Sequence, residues 1–374
     1  MKIALVHDQL HEFGGAERVF LLLKKMFPDA DVFTSFYTPS QLDKNAPEWK
    51  TWNLCASRIQ NIPGIARLIS PLRFLDPWIW ESFDFTGYDM VFSSSGGHMC
   101  KGIITRPETK HISYVHHQPR YLYYYATARN WQKYVPIRMY GHFINHFLRL
   151  WDYVGSQRPN ILVANSEETK RRIKKFYRRD SIVIYPPVSI PPENKSMFDT
   201  AKRSYYVTLS RLVASKNIEL LMKTAQKNNF MLKIIGTGKD EAYLKSVSND
   251  NVEFLGRVED EALADIYMHA KAFLNGAEDE EFGIAPVEAM SYGVPVIAYA
   301  SAGLLETVDN GENGYLYNTL SVESLTDAID KLEKLSPDEY QAMRKKARED
   351  SKQYSEEVFK ENILKIVKIK RSSY

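Results

Sequence analysis

Cysteine is scarce in this chain. Cys55 and Cys100 are the only two in 374 residues, too far apart for a disulfide framework or a thiolate metal cluster. They suit a reducing compartment, so a cytoplasmic location is expected. Long apolar runs are missing as well. No stretch approaches the roughly 18 apolar residues that span a bilayer. The opening MKIALVHDQL holds one short apolar run before His7 and Asp8, which reads as a buried strand rather than a signal peptide. Any membrane contact is therefore expected to be peripheral. Low-complexity tracts and internal repeats are absent, and neither sign of charge dominates: 49 Lys and Arg against 46 Asp and Glu give a net charge of +3, too little by itself to imply a polyanionic partner.

What is present is uneven. Between Arg120 and Asp180 thirteen Lys or Arg face only four Asp or Glu. Apolar strands alternate with helical periodicity throughout, as in a parallel, helix-covered sheet. In the first half the strands are Lys2 to His7, ADVFTSFY, YDMVFSSS, HISYVH, NILVANS and SIVIYPPV, with a Gly14-Gly15 loop before the helical AERVFLLLKKMF. The segment PPVSIPPENKSMFDTAKR then breaks the pattern, since proline removes donors and fixes the backbone. The pattern restarts with YYVTLSRL, MLKIIGTG, VEFLG, AFLNGA and VPVIAYA as strands. The expectation is an α/β protein of two Rossmann-like domains: 1–187, a linker 188–203, 204–352, and a helical 353–374 packing back on the first domain. A cleft is expected at the carboxyl ends of both sheets.

The stretch EDEEFGIAPVEAM places Glu280 in the loop after the strand AFLNGA, with Glu288 in the first turn of a helix beginning at Pro286 and ending near Gly293. A helix amino terminus favours an anion, and also simply stabilises a nearby carboxylate, which is the ordinary reading of Glu288. Arg211 and Lys216 follow the strand YYVTLS and form either a diphosphate clamp or a surface ion pair. Gly236-x-Gly238 lacks the third glycine of a dinucleotide fingerprint, and Gly303 permits close backbone approach to a phosphate.

The runs EEFGIAPVEAMSYGVPVIA and LSRLVASKNIELLM, with VHDQLHEFGGAERV, SYVHHQPRYL and VANSEETKRRIKKFY, resemble the retaining family 4 glycosyltransferases (glycosyl transferases group 1) of the GT-B fold. The mannosyl- and rhamnosyltransferase branch is the nearest in pattern. One departure is Glu281, which stands where that family usually has Gly, and residues 55–85 and 121–158 diverge. The resemblance implies that Arg211, Lys216, Gly15 and Gly303 bind a donor diphosphate, that Glu288 binds the ribose, and that Glu280, with Phe282 and Gly283, meets the donor sugar. It implies that His116 lies near the reacting carbon, with Glu280 and His116 as the catalytic pair; the adjacent His117 is the weaker candidate. Lys101, Arg120 and Tyr121 become acceptor contacts. No metal or other cofactor is implied. The expected donor is a nucleotide sugar, GDP-mannose first and a UDP- or dTDP-sugar second, and the expected acceptor is a lipid-linked or saccharide glycan of envelope polysaccharide synthesis.

Other signals are weighed against blander readings. Asp29-Ala-Asp31 reads as a turn. His142 and His146 lie four apart on a helix, but Phe143 stands where the helical zinc motif has Glu. Asn194-Lys-Ser196 fits a glycosylation acceptor that a cytoplasmic chain would not use. The segment RYLYYYATARNWQKYVPIRMYGHFINHFLRLW mixes rings with cations, as suits either an anionic membrane surface via 121–179 or an ordinary packed helix pair. A nucleic-acid-binding protein is the competing class, but no recognition motif supports it and no nucleic acid is expected. A nucleotide-sugar epimerase would need no separate acceptor.

Overall fold

A computed structural model describes residues 1–127, 133–193 and 203–369. Asn194–Ser196, the middle of the proline-rich linker, residues 128–132 of the aromatic and basic segment, and 370–374 lie outside the described residues. The chain divides into two compact units. One holds Met1–Tyr125, the described residues of 131–185, and the chain end from Lys360; the other holds Pro186–Phe359, with which Ala126 and Thr127 group.

The first unit is built on seven strands: β1 (Ile3–His7), β2 (Asp31–Thr34), β3 (Leu54–Ala56), β4 (Met90–Ser95), β5 (Lys110–Val115), β6 (Ile161–Ala164) and β7 (Ile182–Val183). All pair in parallel, in the order β3-β2-β1-β4-β5-β6-β7. Strands β4 and β5 are buried at every position, as expected for the centre of a sheet covered on both faces. Aromatic and branched residues fill one cluster beside the sheet, with Phe33, Phe36, Ile79 and Trp80 buried in it. β3, a three-residue edge strand at NLCAS, carries too little apolar periodicity to be read from sequence.

The second unit has six parallel strands in the order β10-β9-β8-β11-β12-β13. They are β8 (Tyr205–Leu209), β9 (Met231–Ile235), β10 (Val252–Gly256), β11 (Ala270–Asn275), β12 (Val296–Tyr299) and β13 (Gly314–Tyr317). Leu221, Leu232, Ile234, Leu274 and Ile297 are wholly buried in its core. β13 is the strand that the sequence reading omits; it begins at a glycine whose added Cβ would lie 2.0 Å from the Val296 carbonyl oxygen.

The last helix, Glu356–Lys368, ends in the first unit. There the buried Lys110 donates from Nζ to the carbonyls of Ile366 (2.7 Å), Val367 (2.9 Å) and Ile369 (2.9 Å). A cation on the open carbonyls of a helix end satisfies orphan acceptors and opposes the helix dipole.

A long helix, Val135–Gln157, is fastened to the first unit by a buried ion pair between Lys101 and Asp152. Tyr123 Oη donates to the other carboxylate oxygen of Asp152 at 2.7 Å, and the Lys101 ammonium lies 5.0 Å from the Tyr177 ring centroid. Beside the pair the backbones nearly touch. A Cβ on Gly102 would lie 2.4 Å from Trp151, and one on Gly155 would lie 3.1 Å from the Gly102 Cα. Removing one partner of a buried pair strands the other charge in a low-dielectric site. Asp152→Ala is therefore expected to cost about 3–5 kcal/mol in urea unfolding. The double variant Lys101→Met/Asp152→Leu is expected to recover most of that loss.

Candidate active site

In a parallel sheet all carboxyl ends lie at one edge. At that edge of the first unit β1, β4 and β5 bring together His7, Ser94 and, just past β5, His116. Register sets the neighbours: His7 pairs with Ser94 and Ser95 pairs with Val115, while the His116 amide donates to the Ser95 carbonyl at 2.8 Å. Ser94 Oγ lies 3.0 Å from His7 Nδ1 and 2.7 Å from His116 Nε2. His7 Nε2 lies 3.5 Å from Glu17 Oε1, and the other Glu17 oxygen accepts from the Gly14 amide at 2.8 Å. Gly14 is the N-cap of the helix Gly15–Met26, so the glycine loop is tied down by the carboxylate that also faces His7.

Asp8 shapes the adjacent loop. Its carboxylate accepts from the amides of Gly96 (2.8 Å), His98 (2.9 Å) and Cys100 (2.9 Å), folding residues 96–100 around one buried charge. Burial opposes that charge, yet nearby His98, the donated Cys100 amide and His7 hold the carboxyl below its ordinary value. His117 follows the strand end, donates from Nδ1 to the Gln118 carbonyl at 2.8 Å, and lies beside Gly96.

Two expected acceptor contacts are corrected here. Lys101 is wholly buried in its pair with Asp152 and offers no surface cation. Tyr121 is buried too; its hydroxyl donates to the Gly97 carbonyl at 3.2 Å, and Arg73 covers its ring at 4.0 Å. Arg120 is half-buried in the turn after β5.

In the second unit the loops after β8, β11 and β12 converge. Lys216, on the short turn Ala214–Lys216, forms an ion pair with Glu280, so the expected phosphate cation and sugar-facing acid hold one another. Arg211 is exposed on the loop after β8. The Gly236-x-Gly238 turn packs under that loop. A Cβ would lie 2.0 Å from the Ser210 carbonyl oxygen at Gly236, where φ is +120°, and 2.3 Å from that of Leu212 at Gly238. These glycines thus serve the backbone that carries Arg211.

Gly303 has a similar task. Its amide donates to the Glu280 carbonyl at 2.8 Å, and a Cβ there would lie 2.1 Å from the Glu281 carbonyl oxygen. The close approach seen is to the 280–282 backbone. Phe282 is buried and meets the Tyr354 ring edge-on at 5.1 Å, so its side chain anchors the loop while its backbone stays at a helix amino terminus. Glu281 is buried as well.

The helix runs from Ile284 to Ser291, capped by Gly283 at φ +86°. It starts two residues before Pro286, and Glu288 is its fifth residue rather than part of its first turn. Pro286 is tolerated at the third position because the first amides of a helix have no partner inside it. At the other end Gly293 turns left-handed (φ +67°), its carbonyl accepts from Arg344 Nε at 3.1 Å, and the Ser291 carbonyl accepts from Arg348. Burial, with Arg203 nearby, pulls the Arg344 guanidinium down to about 10. Both arginines come from the helix Pro337–Ser351 and set cations at the negative end of the dipole.

Sequence reasoning missed His7, Asp8 and Ser94. The available signal was polar residues ending apolar strands, VHD and SSS, but only strand register joins them. Among the described residues no group of three or more His, Cys, Asp and Glu could hold a metal ion, and no helix is long and apolar enough to cross a membrane. His142 and His146 are both exposed.

The family model for glycosyl transferases group 1 matches residues 192–350. A Dictyostelium discoideum GDP-Man:Man(3)GlcNAc(2)-PP-Dol alpha-1,2-mannosyltransferase is 26% identical over 259 residues, 60% of this chain and 50% of that one. A Corynebacterium glutamicum GDP-mannose-dependent monoacylated alpha-(1-6)-phosphatidylinositol monomannoside mannosyltransferase is 33% identical over 179 residues, 40% of this chain and 46% of that one. The chain spans about half the length of the curated relatives it matches. Among solved structures, Anabaena HepE with UDP and glucose superposes with a TM-score of 0.72 at 19% identity, covering 100% of both chains. Sucrose-phosphate synthase from Thermosynechococcus elongatus does so with a TM-score of 0.74 at 17% identity, covering 98% of both. Residues 192–350 of the second unit thus resemble the glycosyl transferases group 1 family, and the chain has the two-sheet α/β fold of GT-B glycosyltransferases.

Proposed function

We propose that the chain is a retaining, metal-independent glycosyltransferase that moves a hexose from a nucleotide sugar, GDP-mannose by first choice, to a lipid-linked or saccharide glycan acceptor. The observation that carries this reading is the Lys216–Glu280 pair beside the amino terminus of the helix Ile284–Ser291, with Arg211 exposed on the loop after β8 that leads to Lys216, within the segment that matches the family model. Arg211 and Lys216 take the diphosphate, Glu280 and the backbone at Phe282 and Gly283 take the sugar, and Glu288 takes the ribose. Gly15 and Gly303 lend backbone near the diphosphate, and His116 serves the transfer from the first unit. The sugar C1–O bond to phosphate breaks, a C1–O bond to the acceptor forms on the same face, and the acceptor's proton passes to the departing phosphate oxygen. Fixed cations stabilise the charge that develops on the leaving group. Two relatives whose names specify GDP-mannose support that donor; a neighbour solved with UDP-glucose keeps a UDP-sugar as the second choice.

The acceptor's setting is argued from the helix Val135–Gln157, and we place the protein at the cytoplasmic face of a membrane. Met139, Phe143, Phe147, Leu150 and Val154 form one stripe at helical spacing opposite the buried Asn145, Leu148 and Asp152, with Phe143 65% and Leu150 58% exposed. Lys133 and Arg138 are exposed at its start, and the neighbouring helix Glu167–Tyr177 adds the exposed Lys175 together with Arg171 and Lys174, which are exposed and paired with Glu168 and Asp180. Apolar side chains flanked by cations match an anionic lipid surface.

Calorimetric titration with GDP, UDP, dTDP and ADP in the absence of metal is expected to show binding of one nucleotide. Arg211→Ala is expected to weaken it at least tenfold, since a charge-assisted contact contributes about 1.5–3 kcal/mol. Binding of none of the four would count against the reading. In a vesicle flotation assay Phe143→Asp/Phe147→Asp is expected to abolish binding to anionic phosphatidylglycerol vesicles while leaving nucleotide affinity intact. Equal flotation of the variant would remove the membrane assignment.

A further inference from the structure

Arg73 opens the short turn Arg73–Leu75 of the first unit, just before the helix Asp76–Glu81. Its guanidinium covers the Tyr121 ring at 4.0 Å, and the Tyr121 hydroxyl donates to the Gly97 carbonyl in the loop after β4. The Tyr121 carbonyl in turn accepts from Asn145 Nδ2 of the helix Val135–Gln157 at 3.2 Å. Arg73 thus rests on a ring held between the carboxyl edge of the sheet and the long helix. A guanidinium laid on a ring keeps its fork in one plane, which suits two oxygens of a single anion. Among the described residues no carboxylate forms an ion pair with it. Asp76 feels the Arg73 charge but faces His98 Nδ1 at 3.4 Å, and burial holds its carboxyl above the ordinary value. Arg73 is half-buried, and its Nε is buried with no acceptor. A cation so placed is costly until an anion joins it.

The segment that carries Arg73 is fastened to the helix with the apolar stripe. Tyr140 Oη donates to the Pro71 carbonyl at 2.7 Å, while Trp151 Nε1 and Arg158 both donate to Glu81, at 2.9 and 2.6 Å. Leu68 and Trp78 are exposed on the segment so held. Exposed apolar side chains therefore flank Arg73 in the chain, and the strand ends lie one tyrosine away. We propose that Arg73, seated on Tyr121, binds the phosphate of a lipid-linked acceptor. Its apolar chain lies toward Leu68, Trp78 and the helix stripe, and its glycan toward the sheet edge. This rests on the transferase reading and narrows the acceptor to one that carries a phosphate ester. A bare saccharide would bring no counter-charge to the guanidinium.

Calorimetric titration of the full chain with geranyl phosphate, kept below the concentration at which it aggregates, tests the site. Arg73→Gln should weaken this binding at least about tenfold, the size of one lost charge-assisted contact. Arg211→Ala should leave it within about twofold, as for a residue with no shared partner. Nucleotide binding should show the reverse dependence, which separates failure of this site from failure of the donor reading. Geraniol, the same chain without phosphate, should bind wild type and Arg73→Gln alike. Inorganic phosphate should bind at least about tenfold more weakly than the ester, since it buries no apolar chain. Wild-type affinity of Arg73→Gln for geranyl phosphate overturns the proposal, as does an equal loss with geraniol. Inorganic phosphate binding as tightly as the ester overturns the lipid source. Should Arg73→Gln fail to fold, Arg73→Lys keeps the charge and loses the fork; it should weaken the ester about threefold and leave geraniol unchanged. Arg73-dependent binding of the ester by a chain that takes no nucleotide would leave the phosphate site standing and refute the transferase reading.

Discussion

Parallel pairing is the constraint on which the rest depends. It delivers every strand's carboxyl end to the same edge of a sheet, and no neighbouring strand returns to cover the loops there. In the first unit this brings β1, β4 and β5 together, so residues 7, 94 and 116 become neighbours across gaps of 87 and 22 in sequence. In the second it gathers the loops after β8, β11 and β12 around Glu280. The polar residues at these ends interrupt runs that are otherwise apolar, which costs core area. They are tolerated because each has a partner: amides for Asp8, Ser94 for two imidazoles, Lys216 for Glu280.

The two edges are supported by different means. The first relies on a buried carboxylate that organises backbone amides around itself, as Asp8 does for residues 96–100. The second relies on glycines that let backbones touch and on cations seated at a helix's far end. Arg344 and Arg348 hold the carboxyl end of the helix whose amino end forms part of the candidate site. Gly303 and Gly236 act from below, bringing loops closer than any side chain allows.

Much of this was legible in sequence. The alternation of apolar strands and helices, the proline-rich break and the order of the stretches around Glu280 and Arg211 all specify local geometry, and local geometry is what periodicity and turn chemistry encode. The helix start was misplaced because Pro286 suits the first position, while a left-handed Gly283 allowed the helix to begin earlier. Lys101 was read as an acceptor contact because its partner, Asp152, lies 51 residues away on a helix whose packing depends on tertiary contact. Ser94 sits among three serines, and nothing in composition says which one lies between two histidines. Pairings of that kind require register, which a single sequence does not display.

The helix Val135–Gln157 has two sides with unlike freedom to drift. On its inner side Gly155 faces Gly102 at backbone distance, and Asp152 holds a buried charge, so nearly any replacement there disturbs the fold. On its outer side Met139, Phe143, Phe147 and Leu150 touch little of their own chain. Changes there alter the surface the protein presents more than the way it folds. One rod of secondary structure thus separates inheritance of architecture from adaptation of surface, and chains of this type can diverge in the surroundings they occupy while the loops of the candidate site stay fixed.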